Sequence, residues 1–265
     1  MQTNIDVLKE KRLLIISLVV VAFGFVLTNL FDKELANLFS NSANVGTNLV
    51  LFILSVMILV KNRFSGVHGK AWLLFVIGVM CWFIAETIWM MYEIVSDDVP
   101  FLSEADFFWF LGYPAFFAFL ILYIKPLKNA ISKKMIVGAT LTSMALLALS
   151  VSLLYEPNSA VDFETIVAFS YPIADSILLV PCLIGIALFF KGKVNILWTL
   201  FCIGMSFFIV SDTVYASLIL DDTFYSGDPL MLLYVYGYIF LVFGVYEHIK
   251  IFNVKISKNI RNKRL

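Results

Sequence analysis

"LFVIGVMCWFIAETIW", residues 74–89, contains no basic residue and one carboxylate, Glu86. Apolar neighbours extend the run to 71–95, and a helix needs about 20 such residues to cross a bilayer. The rest of the chain has the same character. Of its 265 residues, 61% are hydrophobic and 14% charged, with a mean hydropathy of +0.93; a soluble domain keeps about a quarter of its residues charged. The chain therefore reads as an integral membrane protein. Seven further segments are long and apolar enough to span: 13–31, 45–61, 106–124, 135–155, 164–190, 195–219 and 229–249. The first follows a basic start but no small-x-small cleavage pattern, so it is read as a retained helix rather than a signal peptide.

The connections support eight spans. Lys9, Lys11 and Arg12 precede the first helix, and Lys61, Arg63 and Lys70 lie between the second and third. Lys125, Lys128, Lys133 and Lys134 fall between the fourth and fifth, and Lys191 and Lys193 between the sixth and seventh. Six more, from Lys250 to Arg264, fill the end, leaving only Lys33 of the 19 basic residues on the other side. The opposite connections are acidic: "SDDVPFLSE" (96–104), "YEPNSAVDFE" (155–164) and "DDTFYSGD" (221–228). Basic residues gather on the cytoplasmic side, so both termini are expected there, in the plasma membrane. The final basic stub suits anionic lipid headgroups and is expected to leave no room for a cytoplasmic catalytic domain.

The opening stretch has a counterpart. "LFCIGMSFFIVSDTVY", residues 200–215, repeats it at a shift of 126: Leu74, Phe75, Ile77, Gly78 and Thr87 recur, while Glu86 falls on Asp212, Ala85 on Ser211 and Trp89 on Tyr215. "LGYPAFFAF" (111–119) likewise corresponds to "YGYIFLVFG" (236–244), and Asn48 falls near Asp175 if one residue slips. The expected fold is all-α: one polytopic membrane domain over 1–265, a bundle of eight transmembrane helices. Its repeat halves would span about 8–128 and 134–250, with a short basic tail at 251–265. Four helices is an even number, so the halves cross in the same direction and the repeat is parallel rather than inverted. Glu86 and Asp212 then sit at matching depths, each about 16 residues past the cytoplasmic end of its helix, or roughly 24 Å in.

Three acids lie deep within spans, away from their ends: Glu86, Asp175 and Asp212. An Asp at a helix centre costs about 2.5–3.5 kcal/mol to insert even on lenient scales, and no intramembrane Lys or Arg offers an ion pair. The carboxyls are expected to be protonated, hydrogen-bonded or facing a wet cavity. Thr87, Thr213, Ser211, Ser170, Asn48 and the tyrosines are the candidate partners. Two readings stand side by side: interhelical hydrogen bonds that fix packing, or an outward-facing polar pocket that binds or reacts. Asp106 and Asp228 mark the outer starts of the fourth and eighth helices, where acids satisfy orphan N–H groups. Trp89, Tyr92, Trp109, Tyr155 and Tyr225 read as an interfacial aromatic belt. A pocket would draw instead on Trp89, Trp109, Tyr113 and Tyr215, with Tyr171 beside Asp175.

Several classes are argued against. No span holds a lysine for a retinal Schiff base, and His68 and His248 lie near the cytoplasmic edge, which disfavours haem or a histidine metal site. Cys81, Cys182 and Cys202 sit in apolar runs with no CxxC spacing, so they read as small buried residues. No P-loop, GxSxG or HExxH occurs. No cofactor or metal is expected; the formal net charge is zero, so nucleic acid is not a partner, and the chain sets no oligomeric state.

"PFLSEADFFWFLGYPAFFAFLILYIKPLK" (100–128) resembles the P-S-x-A-D-x-x-Y-L-x-x-Y-P pattern of a multi-span membrane region found N-terminal to bacterial diguanylate cyclases and sensor histidine kinases. "SYPIADSILLV" (170–180) is similar to its second Y-P-x-x-D-x-x-L element. "SDTVYASLIL" (211–220) and "FYSGDPLMLLYVYGYIFL" (224–241) are similar to its D-x-x-Y helix and closing helix. The resemblance covers about 70–250 and implies a signal-input role. A second likeness is to the eight-span lysoplasmalogenase family, whose G-A-x-x-F-x-x-S-D-x-x-x-A helix is similar to "GMSFFIVSDTVYA" (204–216). In that family paired acids hydrolyse a vinyl ether, so the likeness implies Glu86 and Asp212 as acid and base. Its first-half G-D is here Ala85-Glu86, and its following histidine is replaced near Tyr113-Pro114.

The expectation is a stand-alone membrane sensor or binding protein. Its ligand site would comprise Glu86, Trp89, Asp106, Trp109, Tyr113, Tyr171, Asp175, Asp212 and Tyr215. Its partners would be membrane lipids and a signalling protein at the basic face. The alternative is an ether-lipid hydrolase with Glu86 and Asp212 catalytic; a small-solute or proton-coupled transporter ranks third.

Overall fold

The computed structural model describes residues 4–61, 65–96, 102–154, 163–189, 195–221 and 223–262, with side chains placed between 11 and 250. Arg63, Tyr155, Lys191, Lys193, Lys263 and Arg264, and parts of all three acidic connections, lie outside these residues. The helices are α1 (Asn4–Phe31), α2 (Lys33–Lys61), α3 (Gly66–Val95), α4 (Glu104–Ile124), α5 (Lys133–Leu154), α6 (Phe163–Phe189), α7 (Asn195–Leu220) and α8 (Leu232–Asn262). All eight are long and apolar enough to cross a membrane, so the protein is a multi-pass membrane protein of all-helical fold.

Three boundaries differ from expectation. α2 begins at Lys33 rather than 45. Hydropathy rejects "KELANLFSNSAN", but Ser40, Asn41 and Asn44 are buried while Leu35 and Leu38 are exposed. The polar side of this first part of α2 faces the bundle and its leucines face outward. α1 and α2 are almost continuous around Asp32, whose carbonyl accepts from the Ala36 N–H at 3.1 Å. α1 starts at Asn4 rather than 13, and α8 continues to Asn262, so most of the expected tail is helical.

Packing puts α1 and α5 at the periphery: 6% and 17% of their most apolar stretches are buried, against 33–50% for the other six. Exposed leucines and valines there cost nothing, because lipid tails are as apolar as they are. Inside, α3 packs on α4 and α7 on α8; α2 lies against α3 and α8, and α6 against α7 and α4. The outer pair breaks this correspondence, with α1 touching α8 and α5 touching α7.

Between α3 and α7 runs an aromatic seam. Phe75 meets Phe201 at 5.4 Å between ring centroids, Trp82 meets Phe208 at 5.0 Å, and Trp89 meets Tyr215 at 6.1 Å. The steps are of seven residues, the spacing that keeps one helix face on its partner over successive pairs of turns. Glycines let the flanking helices close over these rings. A Cβ on Gly112 of α4 would stand 2.5 Å from the Trp82 indole, and one on Gly237 of α8 would stand 2.9 Å from the Phe208 ring.

The α7–α8 connection is pinned to the α1–α2 end. The Gly227 N–H donates to Asn37 Oδ1 at 2.7 Å, and the Asn29 amide donates to the Gly227 carbonyl at 2.8 Å. A Cβ on Gly227 would stand 2.5 Å from the Ala36 carbonyl carbon and 2.7 Å from the Asn37 nitrogen. Backbone atoms cannot swing aside as a side-chain tip can. Gly227→Ala should therefore cost about 1–3 kcal/mol by overpacking, read as a lower thermal unfolding midpoint in detergent. An unchanged midpoint would show that the connection is not clamped there.

Candidate functional site

The site lies where the seam opens, toward the ends at which α3 stops and α4 and α8 begin. A cavity there encloses about 710 Å³ between atoms, its open mouth included. α2 contributes Ser40, Asn41 and Asn44; α3 contributes Trp82, Glu86 and Trp89; α4 contributes Trp109 and Tyr113. Tyr171 comes from α6, and Phe208, Asp212 and Tyr215 come from α7. Phe224 and Ser226 of the α7–α8 connection, Met231, and Tyr234 and Tyr238 of α8 complete the wall. Glu86 and Asp212 thus share one chamber, with no lysine, arginine or histidine in its lining among the described residues.

The carboxyls are held by tyrosines from across the seam. The Tyr238 hydroxyl donates to Glu86 Oε1 at 2.6 Å. The Tyr113 hydroxyl lies 3.2 Å from Asp212 Oδ2 and 3.0 Å from Asp175 Oδ1, and the Tyr234 hydroxyl donates to Asp212 Oδ1. A phenol has one proton to give and an oxygen that can accept. Between two carboxyls, Tyr113 satisfies both only if one of them carries a proton and donates back. Asn48 stands beside the Tyr238 hydroxyl as Asp175 stands beside that of Tyr113. Each tyrosine therefore has an acid from one helix and a polar side chain from the preceding helix.

The short hydroxyls named as candidate partners do something else. Thr87, Ser170, Ser211 and Thr213 each bond the carbonyl four residues back in their own helix, at 2.7–2.8 Å. That local acceptor is always within reach of a short hydroxyl, whereas a tyrosine spans the gap between helices.

The nine expected ligand residues divide. Glu86, Trp89, Trp109, Tyr113, Tyr171, Asp212 and Tyr215 line the chamber. Asp175 is 1% exposed and lies behind Tyr113. Asp106 closes a capping box with Ser103, taking its backbone N–H at 2.8 Å, and accepts from the Tyr171 hydroxyl. It braces a wall residue from outside the chamber. Asp228 accepts from the Leu230 N–H at 2.8 Å at the entry to α8. Of the belt aromatics, Trp89 and Trp109 face the cavity, Tyr92 bonds Glu104, and Tyr225 donates to Asn29 Oδ1 at 3.0 Å.

Sequence reasoning missed a further acid and, Asn48 apart, a polar stripe. Glu93, two turns beyond Glu86, accepts from the Asn41 amide and the Ser226 hydroxyl. Ser226 in turn accepts from the Trp89 indole N–H at 3.0 Å, tying the mouth together. Asn41, Asn44, Asn48 and Ser55 form one buried face of α2. Their spacing of three, four and seven residues was the available signal. Among the described residues no group of three or more His, Cys, Asp or Glu could hold a metal ion, and the three cysteines are free and buried. Comparison with protein-family models, with curated proteins and with solved structures returned no match.

Proposed function

We propose that the protein is a plasma-membrane sensor or binding protein whose chamber takes up a small ligand and passes its occupancy on to a signalling partner at the basic face. The asymmetry of basic residues supports both termini on the cytoplasmic side. The chain is read as two parallel four-helix halves, α1–α4 and α5–α8. The observation that carries the reading is the exchange across the seam. Tyr113 of the first half reaches Asp212 of the second, and Tyr238 of the second reaches Glu86 of the first. Under the shift of 126 that pairs Glu86 with Asp212 and the shift of 125 that pairs Tyr113 with Tyr238, these two contacts are the same contact made twice, as at a twofold interface. A ligand seated among these groups touches both halves at once. Its binding energy can then bias how the halves sit against each other, and a sensor acts through such a bias.

A second reading has its own support. Glu86 and Asp212 share the chamber, each held by a tyrosine from the other half, and two carboxyls in different surroundings can serve as acid and base. An ether-lipid hydrolase would use such a pair. Small-solute transport has no comparable contact in its favour. The test is purified protein offered lyso-ether lipids, as wild type, Glu86→Gln and Asp212→Asn. The binding reading expects no vinyl-ether cleavage, with ligand-dependent thermal stabilisation. Turnover in the wild type that disappears in both variants would sink it and establish the hydrolase. A reporter fused to the C-terminus that is active only in the cytoplasm checks the sidedness.

A further inference from the structure

The balance of donors and acceptors around the chamber has a direction. The hydroxyls of Tyr113, Tyr171, Tyr234 and Tyr238 are committed to carboxyl oxygens. The indole N–H of Trp82 donates to the Trp109 carbonyl at 3.1 Å, and that of Trp89 to Ser226. Acceptors, by contrast, are left over. Asn44 Oδ1 is buried and has no protein partner, although Asn44 lines the chamber. Glu86, held by Tyr238 and Trp109, and Asp212, held by its tyrosines, keep further lone pairs, and among the described residues no basic side chain shares the lining. The walls are rings, whose faces carry partial negative charge and attract cations.

From this we infer that the chamber is built for an organic ammonium ion, a protonated primary amine carried on an apolar body, with Asn44 Oδ1 and the Glu86 and Asp212 carboxyls as its acceptors. The inference rests on the binding reading and names the ligand class. The N–H groups of the ammonium supply the donors that the protein does not, its charge supplies the missing counter-ion, and its body lies against Trp89, Trp109 and Phe208. A neutral alcohol of the same shape brings one donor and no charge. A carboxylate brings acceptors to a site that already has a surplus.

The experiment uses the full chain purified in maltoside micelles, with the intrinsic fluorescence of the wall tryptophans as readout. Three probes of matched size are titrated: 2-phenylethylammonium, 2-phenylethanol and phenylacetate. The ammonium should saturate at least about tenfold tighter than the alcohol, the margin expected of a charge-assisted bond, and the anion should not saturate. Glu86→Gln should weaken the ammonium by about tenfold or more. Asn44→Asp should tighten it by adding a carboxylate, a gain that a damaged fold cannot imitate. Should Glu86→Gln fail to fold, Asn44→Asp carries the test alone. Alcohol binding within about threefold of the ammonium, or tighter anion binding, overturns the ligand class and leaves a binding chamber in place. An unaltered ammonium affinity in Asn44→Asp overturns it as well. A lack of saturation with all three probes overturns the inference, and the lipid-turnover assay decides separately whether the binding reading falls with it.

Discussion

Trp82→Ala should cost about 3–5 kcal/mol, the range for truncating a large buried aromatic, and should be the most destabilising single change inside the bundle. Trp82 is 3% exposed. Its ring meets Phe116 at 4.6 Å and Phe208 at 5.0 Å, and it touches both site tyrosines, Tyr113 at 5.7 Å and Tyr238 at 6.1 Å. It is the middle rung of the α3–α7 seam and a wall of the chamber. Removing it leaves a void that the glycine crossing beneath cannot fill, because Gly112 has no side chain to move in. Trp82→Phe keeps a ring in the seam and loses the hydrogen bond to the Trp109 carbonyl, so it should cost about 1 kcal/mol. Leu141→Ala, at a position 62% exposed on α5, should cost almost nothing, since lipid replaces the lost contacts. Equilibrium unfolding in mixed micelles ranks the three. If Leu141→Ala cost as much as Trp82→Ala, α5 would be an interior helix and the arrangement of the bundle would be wrong.

The contrast between Trp82 and Leu141 shows what hydropathy can and cannot read. Eight apolar runs broken by charged connections are legible because the bilayer imposes one length on every crossing. The 126-residue correspondence is legible because Glu86 and Asp212 are rare enough in apolar context to anchor it. Hydropathy fails at 33–44, where the bundle buries the polar face of α2 and exposes its leucines; a scale that averages over a window cannot see which side is polar. It fails again for Trp89 and Trp109. By composition they are interfacial aromatics, and only the side-by-side placement of α3, α4 and α7 turns them into a wall. The tyrosine partners were named only as a group, because which tyrosine meets which acid depends on contacts 22 to 152 residues apart. Glu93 sits where α3 nears its end, so its depth gave no reason to single it out.

Asp212→Ala should cost about 2–3 kcal/mol, and the manner of the loss tests the exchange across the seam. Hydrogen bonds between membrane helices contribute about 0.6 kcal/mol on average and up to about 1.7. Asp212 accepts from Tyr113 and Tyr234 and also meets the Asp175 carboxyl; its loss leaves the Tyr234 hydroxyl without this acceptor, whereas Tyr113 and Asp175 still have each other at 3.0 Å. Most of the cost should therefore pass through Tyr234. Asp212→Asn keeps one carbonyl oxygen and turns the other acceptor into a donor facing a phenol, so it should fall between wild type and alanine. Double-mutant cycles make the argument specific. Pairing Asp212→Asn with Tyr234→Phe should give a coupling of about 0.6–1.7 kcal/mol, and Glu86→Gln with Tyr238→Phe should give a similar value. Asp212→Asn with Tyr238→Phe should be nearly additive, because that tyrosine donates to Glu86. If the crossed pair coupled as strongly as the direct ones, the chamber would behave as one diffuse polar pool. The two acid–tyrosine contacts could not then be read separately on the two sides of the seam, and the proposed relay of occupancy would lose its support.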